Sequence, residues 1–152
     1  MLERFLAADV AARVRACFAG LWALDGEGSA AAIAAALADP DAFVLKPQRE
    51  GGGNNLYGAE LAARLRMPDG LGAFILMRRI RPPLNDALFL RAGRLSAAPA
   101  LGELGIYSVY LAARGCVVAN AGVGHLLRTK VASSNEGGVA AGFAVLDSPL
   151  LV

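Results

Sequence analysis

The sequence predicts an α+β chain, with helices flanking a sheet that is mainly antiparallel in its second half. Three observations carry this. Apolar residues before Asp25 recur at helical spacing, an alanine-rich block is stopped by Asp39-Pro40, and the aromatic, β-branched run ELGIYSVYLAA turns at Arg114-Gly115 and comes back. With 152 residues, one domain with a real core is the expectation.

Val14, Cys17, Phe18 and Leu21 stand at i, i+3, i+4 and i+7, which predicts a helix from Asp9 to about Trp22 with Asp9 as N-cap and Gly20 near its end. Asp25 to Gly28 turn the chain. Ser29 is placed to cap a second helix that ends before Asp39-Pro40, since the residue before a proline avoids the helical region. Phe43 to Lys46 reads as a short strand entering a loop of Gly51, Gly52 and Gly53, after which Ala59 to Arg66 form a short helix. Ala73 to Ile80 reads as a strand ended by Pro82 and Pro83, and Leu88 to Arg91 as a further short one. Glu103 to Ala113 and Cys116 to Ala119 form a hairpin. Gly124 to Val131 gives a last strand, and GGVAAGF a tight loop opening a short helix.

Composition excludes several classes. A net charge of +2, with arginines scattered and no aromatic platforms between them, argues against nucleic-acid binding. No apolar run approaches the roughly 20 residues of a membrane span, and MLERFLAADV lacks the basic start and long apolar block of a secretion signal. A cytoplasmic protein is expected. Cys17 and Cys116 have no metal-binding spacing and are expected as reduced thiols. Of the fifteen basic residues only Lys46 and Lys130 are lysines, and both fall inside motifs where a compact ammonium has a use.

The strongest motif is KPQREGGGNNLYG. Three consecutive glycines remove every Cβ, so backbone N–H groups can close around a bulky anion, and phosphate is the natural guest. Lys46 and Arg49 supply positive charge, Glu50 an acid, and Asn54 and Asn55 amide oxygens, the parts required by a magnesium-bound nucleotide. The loop has neither GxxxxGK[ST] nor GxGxxG. Its alternative is a glycine hairpin tip, which leaves the charged and amide neighbours unexplained. In LLRTK, Arg128 and Lys130 share a strand face about 7 Å apart, suited to an anionic substrate beside a phosphate, while Thr129 faces away; an exposed basic face is the plainer account. GGVAAG can offer bare N–H groups to a carboxylate or carbonyl, or be a close-packed turn. Glu103 is a metal, ribose or base contact, or simply an exposed carboxylate. Met77-Arg-Arg-Ile80 can lay backbone along an adenine edge, or be a plain sheet strand. His125 has no partner that suggests a triad.

Taken in order and spacing, FVLKPQREGGGNNLYG, ILM with Ile80, ELGIY, LLRTK and NEGGVAAGFAVLDSP closely resemble the C-terminal region of eukaryotic glutathione synthetases. The resemblance extends over nearly the whole chain. It implies an ATP-grasp fold, a homodimer, and the joining of γ-glutamylcysteine to glycine as ATP becomes ADP and phosphate, through an acyl phosphate. It further implies that Lys46, Pro47, Gln48, Arg49, Glu50, Gly51, Gly52, Gly53, Asn54 and Asn55 cover the phosphates, with Glu50 a ligand of Mg2+ and Tyr57 near the nucleotide. Met77, Arg78, Arg79 and Ile80 would line the adenine, and Glu103, Lys130 and Glu136 would complete the ATP pocket. Arg128 would be the catalytic and substrate-holding cation, and Val139 and Ala140 would meet the peptide through backbone. Arg78 departs from the family, which often has an acid there. Members are far longer, so residues 1–152 are expected to be the C-terminal ATP-binding part, with an N-terminal portion, further magnesium ligands and most of the peptide site lying elsewhere. The alternative is a chain that only binds ATP and Mg2+ or pairs with another chain. β-Alanine in place of glycine stays open.

Overall fold

The computed structural model describes residues 2–49, 53–67, 69–140 and 142–149. The chain divides into two compact units, Met1–Ile80 and Arg81–Val152.

In the first unit a short 3-10 turn, Leu2–Arg4, precedes helix α1, Ala8–Ala16. The helix is shorter than the apolar spacing predicts. Its N-cap is Ala7 without a side-chain bond, so Asp9 lies inside the first turn, and Ala11 is its only buried residue. The predicted apolar face is largely exposed: Phe18 and Leu21 are 59% and 60% accessible. Leu21–Ala23 is in fact a strand, β1. Gly20 ends no helix; a Cβ there would lie 2.3 Å from the Trp22 ring, so the glycine makes room for the indole. Helix α2, Ser29–Ala38, ends where Asp39-Pro40 predicts, but its N-cap is Gly28 at φ +87 rather than Ser29.

After a 3-10 turn at Pro40–Ala42 come β2, Phe43–Pro47, then helix α3, Gly58–Leu65, a second 3-10 turn at Leu71–Ala73, and β3, Phe74–Arg78. The three strands form an antiparallel sheet in the order β1-β3-β2. Leu45 and Leu76 face each other in register and are both fully buried. With Leu24, Ala32, Ala36, Phe43, Leu61, Leu65 and Leu71 they make the core against which α2 and α3 pack, and Trp22 lies on Phe43 at 5.9 Å. At roughly 25 cal/mol per Å2 of apolar surface, these side chains are the main source of the unit's stability.

The second unit is an antiparallel meander, β4-β5-β6-β7: Asn85–Arg91, Arg94–Ala113, Cys116–Val131 and Ala144–Asp147. The predicted turn Arg114-Gly115 is present, with both residues at positive φ (50° and 79°), as a two-residue hairpin requires. Ala92-Gly93 forms a second turn of the same kind (48° and 75°), so the first hairpin begins at Asn85 rather than Leu88. Three expectations are corrected here. The strand expected at Glu103 starts at Arg94, the runs at Cys116 and Gly124 are one strand bulged at Val118 and Val123, and the residues after GGVAAG are a strand, not a helix.

Among the described residues of this unit, Phe89, Ala100, Thr129 and Ala144 are buried. Farther along the β5–β6 ribbon the apolar side chains stand open: Ile106 is 74% exposed, Tyr110 65% and Val118 61%. Between Glu103 and Arg128 the only Asp, Glu, Lys or Arg is Arg114, at the tip. No helix among the described residues is long and apolar enough to cross a membrane.

Candidate functional site

The candidate residues divide between the two units. In the first, Lys46 ends the buried run Phe43-Val44-Leu45 as the first exposed side chain of β2, so its ammonium is delivered from a rigid strand. Gln48 N–H donates to Ala73 O at 2.8 Å, carrying the β2–β3 pairing one step past Pro47, and Arg49 N–H turns back to Pro47 O at 2.8 Å. The loop is closed at its base. Leu45 and Leu56 exchange both backbone hydrogen bonds, N–H to O at 3.0 and 2.9 Å, so the stretch from Lys46 to Asn55 leaves and re-enters the core at one point.

Within that stretch the Arg49 guanidinium donates to Asn54 Oδ1 across the glycines, and Gly53 is at φ +80, a conformation a side chain would strain. Asn54 and Asn55 are half-buried. Glu50, the expected metal ligand, and Gly51 and Gly52 lie outside the described residues. Among the described residues no cluster of three or more His, Cys, Asp or Glu could hold a metal ion.

Tyr57 caps α3 through its carbonyl, which accepts from Glu60 and Leu61 N–H. Its ring lies under the Arg79 guanidinium, 5.4 Å from the centroid, a cation–π contact that joins the exit of the loop to the Met77–Ile80 segment. Arg78 lies over the Phe43 ring at 5.9 Å, so its side chain packs on the core aromatic. Arg78 and Arg79 N–H donate to Gly20 O and Ala42 O, both at 2.8 Å. Ile80, the next residue, has left the sheet and is 64% exposed.

In the second unit Glu103 and Arg128 stand directly opposite each other on β5 and β6 and form an ion pair. Lys130 follows on the same face of β6, opposite Leu101. Sequence reasoning singled out both charges without pairing them, because cross-strand register is invisible until the bulges are placed. Glu136 is half-buried, its carbonyl accepting from Ser134 Oγ at 2.9 Å. Val139 and Ala140 sit in a tight turn: Gly142 N–H donates to Val139 O at 2.9 Å, and Phe143 N–H to Gly138 O at 3.0 Å. The Arg91 guanidinium ties the turn down through Phe143 O at 3.1 Å. Thr129 turns away from Arg128 and Lys130, is buried, and donates to Asp147 Oδ2 at 2.8 Å, a contact nothing in the motif announced.

Chemically, the first unit offers a closed, glycine-bearing loop flanked by two cations, and a strand end with exposed backbone. The second offers a strand face with two cations and an acid beside a turn rich in bare amides. Comparison with known proteins shows the family of the chain. A family model described as "Eukaryotic glutathione synthase, ATP binding domain" matches residues 1–151. Glutathione synthetase from Xenopus laevis is 48% identical over the whole chain, which corresponds to 34% of that protein. The Homo sapiens protein is 48% identical over 98% of the chain and 33% of its own length, and the chloroplastic glutathione synthetase of Arabidopsis thaliana 46% identical over all of the chain and 29% of its length. The chain thus spans about a third of the length of these relatives. Among solved structures, a glutathione synthetase-like effector from Globodera pallida in its apoform superposes with a TM-score of 0.68 at 24% identity, over 95% of this chain and 30% of that one, which agrees with an α+β ATP-grasp fold. The chain belongs to the eukaryotic glutathione synthase family, within its ATP-binding domain.

Proposed function

We propose that this chain is the C-terminal ATP-binding part of a glutathione synthetase, forming glutathione, ADP and phosphate from γ-glutamylcysteine, glycine and ATP through an acyl phosphate. The observation that carries the reading is the loop from Lys46 to Asn55, pinned at its base by the Leu45–Leu56 bridge and flanked by Lys46 and Arg49. The Leu45–Leu56 bridge ties the two ends of the loop together, which lowers the ordering cost of binding an anion. Lys46 offsets phosphate charge from the strand end. Glu50 and the amide oxygens of Asn54 and Asn55 are the hard donors that would hold Mg2+ beside the nucleotide. The ion supplies charge neutralisation on the phosphates.

The Met77–Ile80 segment reads the adenine. Its Arg78 and Arg79 amides are committed to Gly20 and Ala42, so the edge falls to Ile80 N–H and neighbouring carbonyls. Arg128 holds the peptide substrate and steadies charge as its carboxylate attacks the γ-phosphate. Its bond to Glu103 is solvent-facing, with the two side chains 37% and 66% exposed, so the pair is worth about 0–1 kcal/mol and yields readily to an incoming carboxylate. Lys130, Glu103 and Glu136 line the nucleotide, and Val139 and Ala140 present backbone to the peptide. The glycine amine then attacks the acyl carbon, and catalysis rests on alignment and charge stabilisation. Homodimerisation is supported by the resemblance alone, and a cytoplasmic location is an expectation of the sequence.

Incubating the chain with ATP, Mg2+, γ-glutamylcysteine and glycine tests the reading. Phosphate and glutathione released together support catalysis by this chain. ATP binding without turnover assigns it the nucleotide-binding part only, and absence of ATP binding contradicts the proposal.

A further inference from the structure

Thr129 is the one polar side chain among the buried described residues, 5% exposed, and it lies between the two cations of the LLRTK strand on the opposite face. Its hydroxyl donates to Asp147 Oδ2 at 2.8 Å, while Asp147 Oδ1 accepts Ser148 N–H, also at 2.8 Å. In register Asp147 faces Leu127 and Thr129 faces Val145, so the bond runs diagonally from β6 to β7 on one side of the pair.

The strand β7 has four residues and sits at the sheet edge. A slip of two residues would keep every side chain on its present face and satisfy the backbone equally well, whereas the Thr129–Asp147 bond fits one register only. Register matters because β7 anchors the turn that precedes it. Phe143 and Ala144 N–H both donate to Gly138 O, at 3.0 and 3.3 Å. The same segment passes beside Lys130, since a Cβ on Gly137 would lie 3.9 Å from Lys130 Cδ.

We propose that Thr129 and Asp147 are a positioning pair, whose hydrogen bond fixes the register of β7 and so holds the Val139–Ala140 backbone in place beside the Arg128–Lys130 face for the peptide substrate. This rests on the reading of Arg128, Val139 and Ala140 as peptide contacts. Thr129→Val removes the hydroxyl at constant shape, Thr129→Ser restores it, and Asp147→Ala removes the acceptor from an exposed position should the valine variant fold poorly.

Two readouts separate the claim from the reading beneath it. By NMR, amide exchange at Phe143 and Ala144 is expected to accelerate at least tenfold in Thr129→Val and Asp147→Ala, to stay near wild type in Thr129→Ser, and to be unchanged at Leu104 to Tyr107. By titration, γ-glutamylcysteine is expected to bind about tenfold more weakly in Thr129→Val and Asp147→Ala, with ATP affinity within twofold and Thr129→Ser rescuing. Unchanged exchange overturns the register pin. Faster exchange with unchanged peptide affinity, or equal loss of both ligands, overturns the positioning role. A wild-type chain that takes no γ-glutamylcysteine, while exchange still accelerates in the variants, refutes the substrate reading and supports the pin by itself.

Discussion

Replacing Leu45 by alanine tests the claim that the loop is mounted on a packed core. Leu45 is fully buried, faces the equally buried Leu76 across the β2–β3 pair, and lies one residue before Lys46. Leu→Ala at such a site costs about 2–5 kcal/mol, the transfer of the lost carbons plus a cavity its neighbours cannot refill. About 3 kcal/mol is expected here, because both sides of the sheet contact are leucine. With a urea slope near 1.5 kcal/mol/M, the unfolding midpoint should fall by roughly 2 M. Trp22 is the sole tryptophan and packs on Phe43, so its fluorescence reports the first unit directly. Leu21→Ala, at a position 60% exposed on the same sheet, is the control and should cost under about 1 kcal/mol. Equal midpoints for the two variants would refute the placement of Leu45 in the core and, with it, the rigid base of the loop.

Other expectations follow from the same structure. The Glu3 carboxyl is lowered from 4.5 to about 2 by a hydrogen bond at its own backbone and then by the Arg15 guanidinium at 2.7 Å. A depressed acid favours the fold above its unfolded value, so this contribution is present above pH 4.5 and fades as pH falls toward 2. NMR titration should place the Glu3 midpoint near 2, and Arg15→Gln should raise it part of the way back. The exposed apolar β5–β6 ribbon predicts self-association of the isolated chain, visible by sedimentation and reduced by Ile106→Lys with Tyr110→Lys; a monodisperse monomer at high concentration would count against it.

Sequence alone disclosed the parts that depend on residue chemistry. Three glycines between a strand-end lysine and two asparagines need little further context, and Arg114-Gly115 announces its turn. What it hid depended on context. Ala92 in the left-handed region breaks the usual preference for Asn, Asp or Gly, and Ala97, Ala98 and Pro99 of β5 are poor strand formers held there by pairing with β4. Leu21 continued a helical spacing by coincidence while its backbone joined β3. The glycines before β7 disguised a strand as the start of a short helix. Within the site, Lys46, Arg128 and Lys130 were readable as charges, but the Glu103–Arg128 pair, the Tyr57–Arg79 contact and the Thr129–Asp147 bond each required a register or a fold to appear.

The central claim is that the loop from Lys46 to Asn55 grips the phosphates of ATP. It is tested most directly by titrating isotope-labelled chain with ATP and Mg2+, beside Lys46→Met. A lysine–phosphate contact worth about 1.5–3 kcal/mol makes the variant roughly ten- to hundredfold weaker, with wild-type shifts concentrated at Lys46, Gly53, Asn54, Asn55 and Ile80. Equal affinity for both proteins, or shifts confined to residues outside that loop, would contradict the account.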